Sequence, residues 1–325
     1  MDRRIYEDPR MGSGDAPRLR TREFRAMGSQ MMAAVQTNAP MAGLLLERVP
    51  ARFEGWEQQL SRFRPDSELN QLNLAAGQPV AVSPELWEVL EIALDAARET
   101  DGLVTPAVLG ALEAAGYDRS FEAIEGSGQA RPTEGTPVSV ADWREIKLEP
   151  QSRTVQLPAT MRLDFGGVAK GWAADRMAAE LASVGPALVD AGGDIAVSGP
   201  MEGGEAWPIG VDSPFAPDEQ LELLRVYGGG VATSGRDYRR WQQGGHEAHH
   251  IIDPRTGQPA TTDLLSVTVL GPSTVAAEVA AKTVLILGSE QGLAWLEARE
   301  GLAGLLVLED GGLLESRTFA TCRWE

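Results

Sequence analysis

Four short β-like runs, TVQL (154–157), ALVDA (187–191), DIAVSG (194–199) and LSVTVLG (265–271), alternate with stretches of helical periodicity at about 168–184, 274–287 and 289–299. Strands of this kind bury one face each and helices one stripe each, so the chain must pack helices against sheet. The expected fold class is α+β, with mixed sheets and packed helices.

The first part of the chain reads differently. From Pro50 onward, Phe53, Trp56, Leu60 and Phe63 recur at helical spacing, and Ser83-Pro84-Glu85 reads as a helix cap followed by Leu86, Val89, Leu90, Ala93, Leu94 and Ala97. The polar turn RPDSELNQLN lies between these two helices. EGSGQARPTEGTP (125–137) has the composition of an exposed loop, dividing a helical part that runs to about residue 124 from the mixed remainder. Residues 1–22 show no periodicity and read as a mobile N-terminal arm, leaving 23–325 as one domain.

Composition narrows the function classes. With 325 residues, 43% of them hydrophobic, the chain can bury a substantial core. A formal charge of −18 argues against nucleic-acid or anionic-lipid partners, which would repel it. No run approaches the roughly 20 apolar residues of a membrane span, and the first 24 residues lack the apolar centre of a secretory signal, so a cytoplasmic protein is expected. The single cysteine, Cys322, leaves no internal disulfide and no cysteine-based zinc site.

Four segments carry groups suited to chemistry. LDFGGVAKGWAADRMAAEL (163–181) passes through a Gly-Gly turn into a helix with Lys170 in its first turn, an arrangement that suits an anion, though a tight turn would read the same. DAGGDIAVSG (190–199) sets Gly193 between Asp190 and Asp194, either a binding turn or a hairpin with solvated acids. VATSGRDYRRW (231–241) supplies Thr233, Ser234 and Gly235 for a phosphate, flavin or purine edge. HEAHHIIDPRTGQPA (246–260) holds all three histidines, and His250 with Asp253 and Thr256 joins a proton-transfer group to a carboxylate and a sharp turn. A His/Asp metal site and plain polar turn residues are the alternatives there. Serine-hydrolase, Walker A, dinucleotide-binding and zincin motifs find no supporting context.

In order, MGS (27–29), SRFRPDSELNQLN, DGLVTPAVLGALEAAGYD, LDFGGVAKGWAAD, DAGGDIAVSG, VATSGRDYRRW, HHIIDPRTGQPA and AAEVAAKTVLILG resemble the ApbE family of FAD:protein FMN transferases. The resemblance runs from about Phe24 to the C-terminal region, and HHIIDPRTGQPA is its most specific segment. It implies an ApbE-like fold and an enzyme that cleaves the FAD pyrophosphate. The FMN moiety passes to a threonine or serine of a target protein and AMP is released, normally with magnesium. It further implies cofactor contacts from Met27, Phe63, Ser67, Thr105, Lys170, Gly193, Asp194, Thr233, Ser234, Gly235, Asp253 and Thr256. His250 would take the proton of the acceptor hydroxyl, and Gly167 would offer a main-chain carbonyl to the metal.

Two segments depart from the family pattern. Where the family commonly reads Gly-x-x-Asp-Pro-Thr, this chain has GLVTPAV, with Thr105 and Ala107 at the Asp and Thr positions. Where the family has Ala-Asp-x-x-x-Thr, whose Asp and Thr bind magnesium, this chain has Ala277-Glu278 and then Lys282. Glu278 could still bind the ion, with its carboxylate displaced by on the order of 1.5 Å. A protonated lysine cannot, and the two changes together motivate the hypothesis that Lys282 acts as a fixed cation neutralising phosphate charge in the metal's place. The plain alternative is an i, i+4 pair contributing about 0.2–0.5 kcal/mol on a helix surface. Two further readings stand beside the transferase: a non-catalytic FAD-binding protein on the same fold, and an FAD pyrophosphatase.

Overall fold

The computed structural model describes residues 17–127, 138–216, 218–237, 239–243 and 246–324. Its centre is an eight-stranded sheet. The spatial order is Leu19–Ala26, Ser29–Gln36, Ala187–Ala191, Ile195–Val197, Gly229–Gly235, Leu264–Gly271, Ala303–Leu308 and Leu313–Glu315. Every neighbouring pair is antiparallel. Of the segments read as strands, TVQL instead joins a small three-stranded sheet at Thr154–Gln156.

The period of two decides which side chains meet which layer. In Ser29–Gln36, Met31, Ala33 and Val35 face the helices, while Ala34 faces the other layer. That other layer is the hairpin Trp207–Asp212 with Gln220–Val226, closed by Phe319. Helices α1 (Ala42–Leu60), α2 (Glu68–Leu74), α3 (Pro84–Glu99), α4 (Leu109–Ala114) and α5 (Phe121–Ser127) form the first half. Helices α6 (Ala169–Leu181), α7 (Thr274–Leu287) and α8 (Ser289–Glu297) follow between strands of the second. Edge-on contacts Phe24–Phe53, Phe53–Trp56 and Trp56–Trp172, at ring centroids 5.1–5.2 Å apart, run from the sheet edge through α1 into α6.

Helix α7 is apolar nearly all round because it is buried nearly all round, with Ala277, Val279, Ala280, Ala281, Val284 and Leu285 in the core. Its start is doubly anchored. Ser273 caps it through Ala276 N–H at 3.1 Å, and the Asp175 carboxylate of α6 accepts Thr274 N–H at 2.9 Å and Val275 N–H at 3.1 Å.

The expected polar turn RPDSELNQLN is largely helix α2, capped by Ser67, and three boundaries also differ from the sequence reading. The first strand begins at Leu19 and pairs Leu19–Arg22 with Ala33–Gln36, so the last residues of the expected arm are sheet edge; residues 1–16 lie outside the described residues. Helix α1 starts at Ala42 and carries Pro50 inside it, because buried Leu46 and Val49 extend its apolar face ahead of the proline. Of the expected loop 125–137, residues 125–127 end α5, and the remainder lies outside the described residues. Among the described residues no helix is long and apolar enough to cross a membrane.

Candidate active site

The site is built where α6 crosses α7 beside the Ala187–Ala191/Ile195–Val197 hairpin. Glycine makes the crossing possible. A Cβ on Gly171 would stand 2.8 Å from Glu278 Oε2 and 3.0 Å from Val275 N, so only glycine lets the two helices approach this closely. Its N–H donates to Glu278 Oε2 at 3.0 Å. One turn face away, Lys170 donates to Asp194 Oδ2.

DAGGD forms the hairpin turn that its composition suggests. Asp190 Oδ1 accepts Gly193 N–H at 2.6 Å, and Gly193 has φ of +99°. Asp194 is not a solvated acid, however. It is buried and spent on Lys170. Burial pulls the Lys170 ammonium down, yet the negative charges of Asp194 and Glu278 outweigh it and hold the group above its ordinary range.

Glu278 and Lys282 share a face of α7 with Nζ and Oε1 3.9 Å apart. The ammonium's hydrogen bond goes elsewhere, to Gly166 O at 3.2 Å. Burial, reinforced by Asp194, pushes the Glu278 carboxyl up to about 7 against the pull of Lys170 and Lys282. Burial pulls the Lys282 ammonium down.

This geometry does not fit the magnesium ion implied by the resemblance. The Lys282 ammonium stands between the Gly166–Gly167 loop and the Glu278 carboxylate, 3.0 Å from where a Cβ on Gly167 would be. One Glu278 oxygen is already committed to Gly171. A divalent ion at Gly167 and Glu278 would have to share that space with a fixed positive charge, and magnesium demands near-ideal oxygen geometry.

His250 lies at the other side of the cluster, against the edge of Tyr117 with ring centroids 6.3 Å apart. Burial, with the positive charges of Arg239, Lys282, His249 and Lys170, drives its pKa well below the ordinary imidazole value. Its Nδ1 is buried with no hydrogen-bond partner among the described residues. His249 is structural, its Nδ1 accepting Ile251 N–H at 3.3 Å and its Nε2 meeting Ala260 O at 3.1 Å. Among the described residues no group of three or more His, Cys, Asp and Glu is placed to hold a metal.

Tyr117 stacks on Trp241 at 5.4 Å, and Phe63, 40% exposed, leans on Tyr117 at 5.5 Å. Arg62 lies over both Phe63 and Tyr117, at 4.1 and 4.5 Å, and binds Asp164 Oδ2 at 2.8 Å.

Other expected contacts have structural employment. Met27 sits at φ of +48° in the turn before Ser29 and donates its N–H to Glu57 Oε2 at 2.7 Å. Ser67 caps α2 through Asn70 N–H at 3.1 Å, and Thr105 caps the turn Pro106–Val108 through Ala107 N–H at 3.3 Å. Thr233 and Ser234 point to opposite faces of their strand. Ser234 is buried on the α7 side next to Ala232, whereas exposed Thr233 bonds Thr268 at 2.8 Å on the other side. Gly235 continues the strand beneath the Asp237 carboxylate. Asp253 grips Arg255 through both oxygens at 2.8–3.1 Å, and Thr256 Oγ1 donates to Asp253 O at 3.2 Å, so both shape the loop beyond His250.

Sequence reasoning missed Gly171, Asp175, Arg62, Asp164, Tyr117 and Arg239. Their partners lie far away in the chain, as Asp164 does from Arg62 and Glu278 from Gly171, so only spatial proximity reveals them.

The α+β domain thus crosses two helices to bring Lys170 and Lys282 near a buried histidine whose pKa their charges help to depress. Residues 27–306 match the ApbE family, and the chain belongs to that family. It is 33% identical to the FAD:protein FMN transferase of Treponema pallidum, over 90% of this chain and 86% of that protein. Against the enzyme of the same name from Klebsiella pneumoniae it is 30% identical, over 84% of each. The ApbE protein of Thermotoga maritima superposes with a TM-score of 0.82 at 25% identity, covering 95% of this chain and all of that one (100%). The flavin transferase ApbE of Vibrio cholerae gives 0.76 at 25% identity, covering 94% and 99%.

Proposed function

We propose that this chain is an FAD:protein FMN transferase, taking FAD as substrate and a threonine or serine of an acceptor protein as the second. The observation that carries the reading is the convergence of Lys170, Lys282 and His250 in a member of this family. The acceptor hydroxyl oxygen attacks the FMN-side phosphorus, and the bond from that phosphorus to the bridging oxygen breaks. AMP leaves with the bridging oxygen, and the hydroxyl proton passes to His250. An imidazole kept neutral by burial has one free acceptor nitrogen for it. Lys170 and Lys282 offset charge on the phosphate oxygens, as phosphoryl transfer requires.

Purified protein with FAD and an acceptor domain should yield flavin-labelled acceptor and equimolar AMP; neither product forming would reject the reading. The cytoplasmic setting is proposed with it, and fractionation of the native host checks that. Lys282 also favours a second reading, a flavin binder without chemistry, which predicts retained FAD and no AMP.

A further inference from the structure

Resting on the transferase reading, we propose that the Lys282 ammonium is a built-in cation at the pyrophosphate subsite, so that this chain binds and cleaves FAD without a divalent metal. The direction of the side chain is the first support. In an ordinary helix-surface pair the lysine would lie on its glutamate, but Lys282 Nζ hydrogen-bonds Gly166 O at 3.2 Å and keeps 3.9 Å from Glu278 Oε1. It spans the gap between α7 and the loop that precedes α6.

The layering of charge is the second support. Lys170 and Lys282 keep 21% and 18% of their side chains exposed, while Asp194 and Glu278 keep 3% and 5%. The two acids are thus the more deeply buried partners, and the lysine side chains are the ones with surface left for an arriving anion. Asp194 holds Lys170 by a hydrogen bond, and Gly166 O holds Lys282.

The third support is the lack of room. The Gly166–Gly167 loop approaches so closely that a Cβ on Gly167 would meet Lys282 Nζ at 3.0 Å and Val104 Cγ1 at 3.5 Å. Glu278 spends one oxygen on Gly171 N–H, and the remaining one faces an ammonium, a donor with no lone pair for a metal.

The test uses the full chain, with Mn²⁺ as a spectroscopic probe and FAD as ligand. In Mn²⁺ titrations followed by electron paramagnetic resonance, wild type should show no saturable site, and Lys282→Thr should gain one that is lost again in Lys282→Thr/Glu278→Gln. FAD binding to wild type, read by flavin fluorescence, should stay within about twofold on adding EDTA or Mg²⁺. Lys282→Thr in EDTA should weaken it by about 10- to 100-fold, the range of a hydrogen bond to a charged group, with Lys282→Arg retaining most of the affinity. One tightly bound Mn²⁺ per wild-type chain, or a tenfold loss of wild-type FAD affinity in EDTA recovered with Mg²⁺, would overturn the proposal. The Mn²⁺ result stands whether or not the chain proves to transfer FMN, so a failed transferase reading would be recognised separately.

Discussion

The Glu278 carboxylate accepts the Gly171 amide at 3.0 Å, tying the buried middle of α7 to the first turn of α6. A helical Gly→Ala change ordinarily gains about 0.5–1 kcal/mol. At Gly171 the sign should reverse, because the new Cβ would lie 2.8 Å from Glu278 Oε2 and 3.0 Å from Val275 N. Gly171→Ala should destabilise the protein by about 1–3 kcal/mol, read from urea denaturation midpoints at unchanged m-value. The same substitution at Gly55, where a Cβ meets nothing within 4 Å, should not destabilise.

The Lys170–Asp194 pair should respond unequally to its two deletions. Lys170→Ala leaves a carboxylate only 3% exposed without its cation, whereas Asp194→Asn leaves an ammonium with 21% of its side chain still at the surface. Lys170→Ala should therefore cost more, about 3–5 kcal/mol, in the same denaturation experiment. Equal losses would mean that the pair is more solvated than its burial shows.

Replacing His250 separates binding from chemistry. His250→Ala should slow AMP release by about 10²- to 10⁴-fold while FAD affinity changes by no more than a few fold. Single-turnover AMP formation and flavin fluorescence measure the two effects independently.

The pH dependence follows from the direction of the His250 shift. A histidine whose folded pKa lies well below 6.5 stays neutral in the folded chain at pH 6, while the unfolded chain is already protonating. Stability contributed by the neutral ring is thus fully present above the unfolded value and is lost as pH falls from there through the folded one. In wild type minus His250→Ala, the stability difference should shrink progressively below pH 6.5. NMR of the ring should show no midpoint near 6.5; a midpoint there would contradict the burial on which its role as proton acceptor depends.

Local patterning made much of this legible. Ser83 before Pro84 announced α3, and the periodicity of 274–287 announced α7, because caps and helical spacing are properties of neighbouring residues. The antiparallel order of the large sheet was not legible, since pairings such as Met31 with Ala191 join segments far apart in the chain. The same limit governed the site. Lys170, Asp194, Glu278 and His250 each lie in a recognisable segment, yet Asp194 reads as solvated until the fold buries it against Lys170. Thr233 and Ser234, adjacent in sequence, separate because neighbours on a strand face opposite sides. Arg62 gave no signal at all; its role emerges only once Asp164 and the Phe63 and Tyr117 rings surround it.

The most direct test of the transferase is the intact mass of an acceptor domain after incubation with this protein and FAD. A single added FMN phosphoryl group on a threonine or serine, appearing together with one equivalent of AMP and slowed by about 10²- to 10⁴-fold with His250→Ala, is the predicted result. An acceptor of unchanged mass alongside FAD that is retained whole, or hydrolysed to free FMN and AMP, would contradict it.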